Sequence, residues 1–336
     1  MKTFHRISLS LGLSLFAVLL WRIGPRSIFT ELVRLGWGLI PIILLEGIGD
    51  IFRTIGWRYC LSDAHRKISF GRLYFINLAG CAINTVTPTA TIGGEVTKGA
   101  LLSEYGSGAQ AASGVIIGKL ALASAQLLFA IVGSLITFWG MDFPSGLWTG
   151  LLVGSGILTF SLAAFFWVQK RGKMGVMVRW LTARNVGGNW LITVSQKLES
   201  VDTELRLFYN QRPWSLPCSI FWHIIGFACG IMQIWIFLTL LGLDGSWFKA
   251  AGAWFVGNWF DLLVFMVPLD LGVQEGSRVL ALKAIGYTPV LGMTYAMALR
   301  LQQIFWSASG LLAYVVLTSE SKKCGLETTS LSDKYS

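Results

Sequence analysis

The sequence predicts an all-α polytopic membrane protein, with about six transmembrane helices and two re-entrant broken-helix hairpins in an inverted-topology repeat. Three observations predict it. The 336-residue chain is 54% hydrophobic and 13% charged, with a mean hydropathy of +0.62; an average soluble chain carries roughly 25% charge. Apolar runs recur at spanning length. Two of them are interrupted by proline, glycine and charged residues in matching order.

The first run, Ile7 to Trp21, is short for a ~20-residue span and extends if tilted. Its flank Leu20-Trp21-Arg22 offers no small-residue cleavage site, so it reads as an uncleaved first helix rather than a signal peptide. Residues 27–35 are amphipathic and suit the membrane interface. The second span, Trp37 to Trp57, contains Glu46, Asp50 and Arg53, and the basic loop 58–72 follows. An interrupted stretch covers 69–105, and further spans cover 110–139 and 147–169. The long segment 170–212 is basic, and residues 190–210 read as an amphipathic surface helix. A span at 216–242, a second interrupted stretch at 249–286 and a last span at 289–317 complete the membrane part. One membrane domain therefore covers 1–318, with repeat 1 at 5–139 and repeat 2 at 147–318. Residues 319–336 are expected to form a disordered polar tail.

The net charge of +10 sits largely beside apolar runs. That is a positive-inside pattern rather than a nucleic-acid surface. It puts loop 58–72, segment 170–212 and both termini in the cytoplasm, and loops 140–147 and 242–248 outside. Residues 22–35 then lie outside despite Arg22, Arg26 and Arg34. Trp21, Trp148, Trp214 and Trp247 lie near helix ends, where an indole suits an interface. Cys60, Cys81, Cys218, Cys229 and Cys324 form no CxxC pair or metal-ligand spacing, so neither disulfide nor metal is expected. Nothing resembles a hydrolytic triad, a P-loop, an HExxH site or a dinucleotide fingerprint. No catalytic residue and no cofactor is assigned.

The internal repeat carries the functional reading. Aligning Pro88 with Pro268 also aligns Glu95 with Glu275 and Gly106 with Gly286. Gly93 and Gly94 follow the first proline, Gly272 the second. Each glutamate is followed three residues later by a base, giving Glu95/Lys98 and Glu275/Arg278, partners on one helix face. Proline removes a backbone donor and glycine permits a sharp reversal. Hydrocarbon tolerates such breaks only where protein or water covers them. Paired breaks of opposite orientation point to a transport site near the midplane. Half-helices starting near Gly94 and Gly272 would aim their amides at the break. The two glutamates then cap those amides, pair with Lys98 and Arg278, or handle a coupling ion. Asn84 and the neighbouring threonines, Thr87 among them, satisfy broken backbone or bind a headgroup. Asp261 and Asp270 flank the second break, and Arg300 lies deep enough in the last span to pair with a glutamate or grip a phosphate. Ionisable groups at membrane depth are functional candidates by default, which adds Asp50 and Arg53 as a coupling pair. His223 reads as a hydrogen-bonding residue of the bundle.

The segment Asn84-x-x-x-Pro88-x-x-x-x-Gly93-Gly94-Glu95, its counterpart Pro268-x-x-x-Gly272-x-x-Glu275 and the span pattern resemble the lysylphosphatidylglycerol synthase transmembrane-region family, whose members are also called flippase-like or UPF0104 proteins. The resemblance covers roughly residues 5–320. It implies movement of a lipid or lipid-linked headgroup between leaflets of a bacterial cytoplasmic (inner) membrane. The carry-over is confined to Asn84, Pro88, Gly93, Gly94, Glu95, Pro268, Gly272 and Glu275, with Asp270 as a departure beside the second glycine. The synthase domain of the fused members is absent, so aminoacyl transfer is not expected. Membrane lipids with polar or anionic headgroups are the expected partners, alongside a homo-oligomer or lipid-synthesis enzymes, and no nucleic acid. The competing readings are a membrane-embedded lipid-modifying enzyme and a non-transporting accessory factor of hopanoid, glycolipid or phospholipid synthesis.

Overall fold

The structure, a computed structural model, describes residues 21–87, 92–139, 203–243, 245–263 and 272–332, with scattered positions between 149 and 167. All regular structure among the described residues is helical. Helix α1 (Pro25–Leu35) opens on a proline, whose fixed φ suits a first turn. A single 3₁₀ turn, Gly36–Gly38, joins it to α2 (Leu39–Tyr59). Then come α3 (Phe70–Val86), α4 (Ile92–Ser103) and α5 (Gly108–Trp139). A short helix over 203–211 precedes α6 (Ser215–Leu240), α7 (Trp247–Leu263), α8 (Val273–Ala284) and α9 (Pro289–Ser332).

Among the described residues four stretches are long and apolar enough to cross a membrane: Pro25–Tyr59, Gly108–Ile136, Ser215–Leu240 and Pro289–Ser319. They answer to four of the six expected spans. The expected first span falls outside the described residues except for Trp21, and the 147–169 span is described only at scattered positions. Helix α9 runs on to Ser332, into the region the sequence assigns to a polar tail; no proline after Leu317 forces a stop. The expected surface helix at 190–210 is described only from 203 onward, where it is helical.

The interrupted stretches are each two helices. Both α3 and α7 have 17 residues, and both α4 and α8 have 12. At the α-helical rise these reach about 26 and 18 Å, short of a ~30 Å hydrocarbon core. The first pair is separated by residues 87–91 and the second by 264–272, of which 88–91 and 264–271 lie outside the described residues. Pro88, Pro268 and Asp270 are among these.

The packing is reciprocal between halves. Helix α2 packs most extensively on α6; α9 packs on α3 and α2, and α5 packs on α7 and α6. Within each half α3 packs on α4 and α7 on α8. The α2–α6 seam is closed by small residues. A methyl on Gly226 would come within 3.0 Å of the Gly49 carbonyl oxygen, and one on Gly49 within 3.2 Å of the Gly226 carbonyl oxygen. Close backbone approach of this kind substitutes for hydrophobic burial between helices in lipid. The outward face of α2 is the stripe Ile40, Leu44, Ile48 and Ile51, all exposed, while Asp50 and Thr54 are buried. An apolar exterior over a polar interior is the arrangement a bilayer selects.

Candidate functional site

Glu46, Asp50 and Arg53 sit at helical spacing on one face of α2, about midway along it. Arg53 Nη1 donates to Glu46 Oε1 and to Asp50 Oδ1, each at 2.7 Å. The other Glu46 oxygen accepts from Gln302 Nε2 on α9 at 3.0 Å. Gln302 Oε1 accepts in turn from Gln233 Nε2 on α6 at 2.8 Å, and the same nitrogen reaches the Ile42 carbonyl at 2.8 Å. Thr54 Oγ1 donates to the Asp50 carbonyl, and Asn77 Nδ2 on α3 donates to Thr54 Oγ1 at 3.2 Å. The polar face of α2 is thus held by side chains from three other helices, as buried charge requires.

Glu46, Asp50, Arg53, Gln233 and Gln302 line a cavity of about 310 Å³. Its wall also takes in Thr85, Gln274, Arg278, Gln303 and the aromatic rings of Phe227, Trp254, Tyr295 and Trp306. Two tryptophans reach the wall because glycines make room for them. A methyl on Gly47 would overlap the Trp306 ring, and one on Gly230 would overlap Trp254. Arg53 lies over the Phe227 ring, 5.8 Å from its centroid.

The broken segments flank this cavity. In the first half Asn84 Oδ1 accepts from the Gly94 N–H at 2.6 Å, so Asn84 satisfies the backbone at the break. Gly94 faces Gly80 so closely that a methyl would strike the Gly80 carbonyl oxygen. Gly93 accepts from Thr97 Oγ1 at 2.9 Å, and Thr87 Oγ1 donates to the Ile83 carbonyl. Glu95 pairs with Lys98 at 3.7 Å and with Lys119 of α5 at 3.4 Å. Lys98 is buried, its ammonium 5.4 Å from the Trp57 ring centroid.

In the second half Gly272 is the N-cap of α8 at φ 77°, and its N–H donates to Glu275 Oε2 at 2.7 Å. The expected Glu275–Arg278 pair is not formed. Glu275, drawn back onto the cap, turns its other oxygen to Arg300 of α9, whose Nε lies 2.5 Å away. Arg278 instead bonds Asp261 of α7 at 2.6 Å. Arg300 therefore answers to a glutamate, as one of its two expected roles has it.

Of the charged residues singled out in the sequence, Glu46, Asp50, Arg53 and Arg278 reach the cavity. Asn84, Gly93, Gly94, Glu95 and Lys98 build the first break, and Gly272, Glu275 and Arg300 the second. His223 is buried with neither ring nitrogen hydrogen-bonded among the described residues, so the expected bundle hydrogen bond is absent; the ring instead packs against Gly56. Sequence reasoning missed Gln233, Gln274, Gln302 and Lys119. Lys119 is the only charge between residues 108 and 139, a signal of the same kind as Asp50. Among the described residues no cluster could hold a metal ion.

A cavity of this polarity, enclosed by helices with apolar exteriors, defines a class: a polytopic membrane protein with a polar interior site. The chain matches the model of the lysylphosphatidylglycerol synthase TM region over residues 7–310 and belongs to that family. It is a multi-pass membrane protein, similar to the UPF0104 membrane protein MJ1595 of Methanocaldococcus jannaschii, with 19% identity over 294 residues, 85% of this chain and 86% of that protein. No solved structure matches it.

Proposed function

We propose that the protein moves a polar lipid headgroup between the leaflets of a bacterial cytoplasmic membrane. The headgroup occupies the cavity while the acyl chains remain in the bilayer. The observation that carries this is the cavity's place: Glu46, Asp50 and Arg53 lie midway along α2, within a candidate span, and two other candidate spans wall the cavity. Holding three ionisable groups in a span, one of them buried, is costly, and a route for polar groups accounts for the cost.

The two halves act as inverted repeats with re-entrant hairpins. Supporting this are the matching helix lengths and the reciprocal packing of α9 on α3 and α5 on α7. Gly49 and Gly226, which meet at the α2–α6 seam, are separated by as many residues as Phe70 and Trp247, where α3 and α7 begin. Substrate sites of repeat-built transporters lie at such an interface. The basic loop 58–72 and both termini face the cytoplasm in this reading.

The test is leaflet exchange of fluorescent lipids in proteoliposomes, read by quenching of the outer leaflet. The intact protein is expected to accelerate exchange of at least one polar lipid. Arg53→Gln is expected to cut that acceleration by about tenfold or more while the protein remains folded; a tenfold loss is 1.4 kcal/mol of barrier. No acceleration across neutral, anionic and amine-bearing lipids would sink the reading. Chemical change of a lipid in the same vesicles would favour an enzyme instead.

A further inference from the structure

We infer that the cavity selects an uncharged, polyhydroxylated headgroup, a sugar or polyol, over a phosphate-only or amine-bearing one. The inference rests on the translocation reading for its site and deepens it by naming the substrate class.

The charges around the cavity are already committed to one another. Arg53 bridges Glu46 and Asp50, Arg278 bonds Asp261, and Arg300 bonds Glu275. The second Glu46 oxygen is taken by Gln302. An incoming phosphate would have to share Arg53 or Arg278 with the carboxylate it already pairs with, and an ammonium would have to share Glu46 and Asp50 with Arg53. Either brings like charges together in a partly buried site, which is costly.

What the wall offers a ligand is neutral. Gln233, Gln274, Gln302 and Gln303 come from three helices; Gln302 is engaged at both ends and Gln303 Oε1 accepts from Arg300 Nη1, which leaves Gln233 Oε1, Gln303 Nε2 and the Gln274 amide to face a ligand. Thr85 and Ser307 add hydroxyls. Gln274 Oε1 is buried and has no hydrogen-bond partner among the described residues, so it is an acceptor awaiting a donor. Trp254 and Trp306 stand in the same wall, each accommodated by a glycine. Amides that donate and accept, set among flat aromatic faces, match a ring of hydroxyls with C–H faces. At about 310 Å³ the cavity falls at the small end of the ~300–1,000 Å³ range of ligand sites, fitting a single such ring.

The experiment is native mass spectrometry of the full chain in nanodiscs with monoglucosyl diacylglycerol, phosphatidylglycerol and phosphatidylethanolamine of matched acyl chains. Leaflet exchange of the fluorescent analogues is measured in parallel. Retention of the glucosyl lipid is expected to exceed that of the other two by about tenfold. Gln274→Ala should erase most of that preference without lowering thermal stability, since the amide oxygen forms no bond among the described residues. Trp306→Leu is the second variant and should weaken glucosyl retention alone. A preference for either charged lipid, equal retention of all three, or a glucosyl preference untouched by both variants overturns the inference. Exchange of all three lipids at one rate overturns it too, yet leaves translocation standing. Glucosyl retention without exchange upholds the headgroup class and sinks translocation. Competition by free glucose as strong as by the glucosyl lipid upholds the chemistry and assigns it to a soluble sugar.

Discussion

Glu95 and Glu275 stand in the first turn of two twelve-residue helices, yet the two are held very differently. Glu275 is fully buried, caps its own helix through Gly272 and meets Arg300 at 2.5 Å. Glu95 keeps 20% of its side chain exposed and meets two lysines at 3.4 and 3.7 Å. The cap it might have supplied comes from Asn84, on the preceding helix. The bonds at both breaks reach three helices, but the Glu275 contacts are short and leave it fully buried, whereas the Glu95 ion pairs are long and leave it partly exposed. Under the proposed translocation, halves that move against each other need one fixed element and one that yields, and the contrast would make the first half the yielding one.

The strongest way to break the comparison is to truncate each acid. Glu275→Ala strands Arg300 in a buried site and should cost about 3–5 kcal/mol. Glu95→Ala strands the buried Lys98, which keeps its contact with the Trp57 ring, and leaves a half-exposed Lys119, and should cost less, about 1–3 kcal/mol. Unfolding in detergent micelles measures both. Equal losses would abolish the distinction. Replacing the pair together, Glu275→Leu with Arg300→Met, should restore most of the stability, because no orphaned charge remains.

Asn84 comes next in expected size. Asn84→Ala removes the acceptor for the Gly94 N–H and should cost about 1–3 kcal/mol. The second half has no equivalent dependence, since Glu275 supplies its own cap. Hydrogen exchange should therefore rise at the start of α4 and stay unchanged at the start of α8. Exchange rising at both would mean that the two breaks are coupled more tightly than their bonding suggests.

Much of this was legible in the sequence. Spans at 37–57, 110–139, 216–242 and 289–317 follow from apolar length, and the two breaks from proline and glycine at matched spacing. Asp50 and Arg53 announced themselves by the cost of charge in an apolar run. The partners did not. Residues three apart on a helix can pair, but Glu275 is turned by its own cap toward α9, and Arg278 toward α7. Only tertiary packing decides between such options. Gln233 and Gln302 were overlooked because an uncharged amide in an apolar span stands out less than a charge, although it too must find partners.

The asymmetry also predicts a difference in response to acid, the smallest of these effects. Outside the spans, the loop after α2 is tied to the end of α4 through His65. Its Nδ1 contacts Ser62 Oγ at 2.7 Å and its Nε2 the Leu102 carbonyl at 3.0 Å. Burial holds its pKa below the ordinary histidine value of 6.5, against a smaller opposing pull from the Leu102 carbonyl. Above 6.5 the ring is neutral in both folded and unfolded chains, and it contributes no slope. As pH falls through 6.5 the unfolded chain takes up a proton before the folded one does, so stability drops. The corresponding corner of the second half has no histidine: it is closed by the Tyr287 N–H donating to the Leu282 carbonyl, a bond that does not titrate. Between about pH 7.5 and 5.5, hydrogen exchange should quicken at Leu101–Ser103 and hold steady at Leu282–Ala284. His65→Asn should flatten the first response. Loosening of both corners together would trace the acid sensitivity to the bundle as a whole and remove the distinction between the halves.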